Sequence, residues 1–101
     1  MDIGQIIASL QDAQLTVNLI IDIMQEQARI HNNFRNGALD IWDAGLQLHI
    51  RIDRPLQRLT TIAERGIEVP ARHIEMISHR TADLTTQANA LLTEAILHLA
   101  N

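Results

Sequence analysis

A chain of 101 residues with a formal net charge of −4 has the size of one small domain. The absence of Cys excludes a disulfide scaffold, a thiolate-held metal centre and a cysteine nucleophile, and 47% hydrophobic residues are too many for a disordered tail. Four Gly and two Pro are too few for a sandwich or barrel, where turn residues recur every 8 to 12 positions or about that.

Those few turn residues divide the chain. Asn36-Gly37 follows the polar cluster His31-Asn32-Asn33, and Gly66 precedes Pro70 by four residues. Asn-Gly tolerates positive φ, and Gly followed by Pro suits a helix stop and restart. The segments left between them run near 2–34, 38–66 and 69–100. Each is long enough for a helix of roughly 45 Å at about 1.5 Å per residue.

In the first segment Ile3, Ile6, Ile7, Leu10, Ala13, Val17, Ile20, Ile21, Met24, Ala28 and His31 fall on one side of a helix. A second stripe of Leu15, Leu19, Ile23 and Ile30 lies roughly opposite. A three-helix monomer gives each helix one wide buried face, so the second stripe predicts a contact with another subunit. The terminus carries Asp2 and no basic stretch, unlike a signal peptide. No uninterrupted apolar run is longer than Leu19-Ile20-Ile21, against the ~20 residues of a membrane span. The expectation is a soluble protein with no membrane partner, cytoplasmic by default, although leaderless secretion leaves no mark in composition.

The middle segment supports two readings. Leu46-Gln47-Leu48-His49-Ile50-Arg51-Ile52-Asp53 alternates as a half-buried strand does. Against that, Asp40, Asp43, Gln47, Arg51, Arg54, Arg58, Thr61 and Arg65 form a polar stripe at helical spacing, faced by Ile41, Trp42, Leu48, Ile52, Leu56, Leu59 and Ala63. The longer pattern outweighs the shorter and predicts a helix, kinked where Pro55 removes the bond to the Arg51 carbonyl. Strand–turn–helix is the alternative. In the third segment Ile74, Ile77, Thr81, Leu84, Ala88, Leu91, Ala95 and Leu99 step by threes and fours, with Pro70 suited to the first turn.

The most specific surface feature is an arginine ridge. The chain has no Lys, and Arg51, Arg54, Arg58 and Arg65 project from one stripe with no acid between them on it. Guanidinium groups grip carboxylates and phosphates bidentately, which points to an acidic protein or a nucleic acid. Residues 1–44 hold six acids against Arg29 and Arg35, so the gripped carboxylates could also lie within the chain. With one Trp, one Phe and no Tyr there is little surface on which single-stranded bases could stack.

On the strand reading, QLHIRIDRPLQRLTTIAERGIEV resembles a ribbon-helix-helix DNA-binding domain over residues 46–80. The resemblance implies a dimer whose paired strands present Gln47, His49 and Arg51 to the major groove, with the first segment serving assembly. The spacing around Gly66, the long segment ahead of the strand and the acidic net charge depart from that family. Trp42-Asp43-Ala44-Gly45 is also similar to the Trp-x-Gly turn of the WXG family of secreted helical hairpins. Here the spacing is one residue longer, and a third segment follows. The plainer role for Trp42 is a core anchor whose indole N–H reaches a turn carbonyl.

Glu75 with His79 and Glu94 with His98 share helix faces at i,i+4 spacing, but neither Glu-x-x-His nor His-Glu-x-x-His occurs. These are expected to be surface pairs, with no metal or other cofactor. His49 and Asp53 fall within the apolar face of the middle helix, and a polar pair there would fix how subunits register. Ser9 and Ser78 are the only serines and lie on other segments, so no acid, base and nucleophile assemble into a catalytic set.

The sequence thus predicts an all-α bundle of three long antiparallel helices, kinked at Pro55 and oligomeric through Leu15, Leu19, Ile23 and Ile30. Its predicted function is a non-enzymatic, self-associating scaffold, adaptor or regulatory module that binds another protein through helix surfaces. Nucleic acid is the less favoured partner, and a DNA-binding regulator is the alternative.

Overall fold

Asp2 opens the first helix, α1 (Ile3–His31), with a capping box. Its carboxylate accepts from the Gln5 N–H at 2.8 Å, and Gln5 Oε1 accepts from the Asp2 N–H at 2.9 Å. A computed structural model describes residues 2–34 and 37–100, and among them every regular element is a helix: α1, α2 (Ala38–Glu64) and α3 (Ala71–Ala100). The three pack against one another in a body of 50 × 20 × 15 Å.

The ends follow from local chemistry. Asn32, at φ 54°, closes α1, with the Asn33 N–H reaching the Ala28 carbonyl at 2.9 Å. Gly37, at φ 83°, caps α2, while the Asn36 half of the expected turn lies outside the described residues. At the far end of α2 the Ile67 N–H reaches the Ile62 carbonyl and the Gly66 N–H the Ala63 carbonyl, a Schellman closure that sets Gly66 at φ 65°. Nothing lies within 4 Å of where a Gly66 Cβ would stand, so only backbone strain opposes a side chain there. Gly66→Ala is therefore expected to cost about 1 kcal/mol, and Gly66→Asn less, in urea unfolding. Pro70 sits just ahead of α3, its carbonyl accepting from the His73 and Ile74 N–H groups.

The strand alternative for residues 46–53 is overturned, because α2 runs through the whole segment and through Pro55. Its buried residues Ala38, Ile41, Gly45, Leu48, Ile52 and Leu59 follow helical spacing. Of the four alternating apolar residues, Leu48 and Ile52 are buried, Leu46 is half-buried, and Ile50 is 45% exposed. The alternation was two core positions of a helix, Leu48 and Ile52, with the outward Ile50 between them and Leu46 at the edge of the buried face. The paired ribbon that the DNA-binding resemblance implies is therefore absent among the described residues. Trp42 and Gly45 likewise lie inside α2 and not in a turn between helices, unlike the WXG pattern.

Burial in α1 steps through Ile6, Leu10, Ala13, Val17, Ile20 and Met24, and in α3 through Thr81, Leu84, Ala88, Leu91 and Ala95. With the α2 residues these form one core. Gly45 permits a close approach: the Ile21 side chain lies 3.1 Å from where its Cβ would be. Leu99 and Ala63, both on the expected apolar stripes, stay exposed near the helix ends. The α2–α3 contact is the least extensive of the three, and that leaves room for a groove.

Candidate interaction surfaces

The first surface lies between α2 and α3. Arg51, Arg54 and Arg58 line one wall of a groove of about 590 Å³, and Arg80 of α3 joins them. Its apolar lining includes Pro55, Leu59, Ile62, Ile77 and Leu84, and Asp83 is its single acid. Arg51 Nη1 donates to Gln87 Oε1 at 2.8 Å. Among the described residues no carboxylate lies within 4.0 Å of the Arg51, Arg54, Arg58 or Arg80 guanidinium.

Arg65 is the member of the expected ridge that does not line the groove. α2 ends one residue earlier, at Glu64, and Arg65 forms its C-cap. Arg80 was not expected there. Its signal was the series Ile77, Arg80, Leu84 and Gln87, whose spacing places all four along one flank of α3.

The second surface is the outer face of α1. Leu15 is 68% exposed, Leu19 50% and Ile30 58%, whereas Ile23 is half-buried and packs partly against the core. Exposed Asp12, Asp22 and Glu26 share this face by helical angle. Arg29 Nε donates to Glu26 Oε2 at 3.0 Å, and this hydrogen bond holds the Glu26 carboxyl below its ordinary range. Between exposed groups such a pair contributes little stability. The apolar outer stripe also brings the mean hydropathy of an 18-residue stretch of α1 to 1.3, so by length and composition alone the helix passes as a membrane span. Run length had understated this, because single polar residues interrupt a run without lowering the mean far.

His49 and Asp53 lie one turn apart on a flank of α2 and are both half-buried, but they do not bond to each other. Asp53 Oδ2 accepts from Gln57 Nε2 at 2.7 Å, while His49 Nδ1 is buried without a partner. Gln14 Oε1 and Trp42 Nε1 share that condition, so the indole N–H does not reach the expected turn carbonyl. The Trp42 ring instead packs at 41° on Phe34, centroids 5.4 Å apart. Trp42→Phe removes an unmet N–H that costs about 1–3 kcal/mol but gives up apolar area with the smaller ring, so the two offset and stability is expected to change by less than about 1 kcal/mol in a thermal melt.

Glu75, His79 and Glu94 are exposed, and His98 is half-buried beside Gln27, His31 and Ala38. Among the described residues no three metal-ligating side chains stand together. No family model matches the chain, and neither the curated proteins nor the solved structures give a match.

Proposed function

We propose that the chain is a non-enzymatic, self-associating helical scaffold or adaptor that assembles through the outer face of α1 and offers its arginine groove to an acidic protein surface. One observation carries this reading. α1 is apolar on two opposite sides, and the chain's own helices cover only one of them. Large apolar side chains half or more exposed on a continuous helix face mark an interaction site more often than scattered surface residues do.

The proposal includes successive helices running antiparallel, with α2 bent where Pro55 leaves the Arg51 carbonyl without its donor. The approach of His98 to Gly37, 4.0 Å from where a Cβ would stand, supports an arrangement in which the end of α3 returns to the α1–α2 junction. Protein suits the free face of α1 better than lipid. Asp12 and Asp22 on that face would each cost about 2.5–3.5 kcal/mol at the centre of a bilayer. The DNA-binding alternative keeps the arginines but has lost its ribbon, and a net charge of −4 opposes it further.

Size-exclusion chromatography with light scattering tests the proposal. The expected mass is twice 11.4 kDa or a higher multiple. A monomer at every concentration would overturn it.

A further inference from the structure

Resting on self-association as proposed above, we infer that the α2–α3 groove takes the outer face of α1 from a second copy of this chain. The two surfaces complement each other in charge. The groove carries Arg51, Arg54, Arg58 and Arg80 against one acid, while Asp12 and Asp22 flank Leu15 and Leu19 on α1. Among the described residues, neither set lies within 4.0 Å of a side chain of opposite charge. They also match in length. The α2 wall from Ile50 to Ile62 spans about 18 Å, and Asp12 stands about 15 Å from Asp22 along α1. Leu15 and Leu19, between those acids, would then meet the apolar groove lining.

The geometry also sets the type of assembly. No α1 residue lines the groove, and Leu15 and Leu19 point directly away from the buried stripe of α1. Ridge and groove therefore lie on opposite sides of the bundle. One pair of chains cannot make both contacts reciprocally, so the interface is head-to-tail and generates a ring or a filament.

A complementation experiment tests this. One variant reverses the groove, Arg54→Glu with Arg58→Glu, and a second spoils the ridge, Leu15→Glu with Leu19→Glu. All four positions are exposed, and circular dichroism melts check that both variants fold. Each alone is expected to be monomeric by light scattering, and an equal mixture to form a two-chain complex that dissociates as salt is raised. If the groove variant keeps the wild-type mass, or the two monomers fail to combine, the groove is not the socket, although self-association by another route survives. A monomeric wild-type chain would instead remove the reading on which the inference rests.

Discussion

Shortening Ile52 to alanine is expected to cost about 2–5 kcal/mol, whereas Ile50→Ala, two positions away, should cost less than about 1 kcal/mol. Ile52 is fully buried and Ile50 is 45% exposed. The larger loss combines the transfer free energy of the missing atoms with the cavity that a close-packed interior cannot fully close. A domain of this size has about 5–15 kcal/mol in total, so the Ile52 variant should melt lower by at least roughly 10 °C. The contrast between the two substitutions also discriminates between folds. In a strand, residues 50 and 52 would share a face and both substitutions would be costly, whereas in a helix they stand 200° apart. Equal losses in a pair of urea titrations would contradict the helical assignment of this segment.

The second large effect falls on assembly and not on folding. Leu15→Glu with Leu19→Glu should weaken self-association by at least about a hundredfold, while the monomer's urea midpoint stays near that of the wild-type monomer. Each leucine contributes about 1.5–3 kcal/mol if fully covered by a neighbouring copy, and 1.4 kcal/mol is about a tenfold change in affinity. The new carboxylates would also replace the two side chains that meet the apolar lining of the groove, so the interface would have to desolvate charge where it now buries leucine. Both leucines point away from the core of their own chain, and for that reason the monomer should tolerate the change. Sedimentation velocity and urea unfolding on the same samples separate the two quantities. A large fall in monomer stability would show that this face belongs to the fold.

Wide helical patterns read through to the structure with little loss. The expected α1 stripe contains all six buried positions from Ile6 to Met24, and Thr81 to Ala95 on α3 are those of the expected stripe. Repeated spacing over five or more turns has few alternatives, and the Gly66 stop is a local matter of positive φ. Pairwise features were less legible. Arg80 joins the arginine groove because of how α3 docks on α2, and no periodicity within one segment encodes that docking. His49 and Asp53 stand one turn apart as their spacing requires, yet Gln57, a further turn along, supplies the hydrogen bond to Asp53. The Trp42 N–H was expected to find a turn carbonyl, but the ring is held by Phe34 with its nitrogen buried unmet. Ile23 looked like its neighbours on the outer stripe, but at the stripe's edge it packs partly on the core.

The proposed assembly joins two faces of the bundle, the outer face of α1 and the α2–α3 groove. A dilution series of amide NMR spectra on the wild-type protein tests it residue by residue. Concentration-dependent shifts are expected to cluster on the outer face of α1 around Leu15 and Leu19 and along the groove around Arg54, Arg58 and Arg80, with the buried stripes of all three helices unmoved. Spectra that stay the same from the most dilute sample to the most concentrated, or shifts confined to other surfaces, would contradict it.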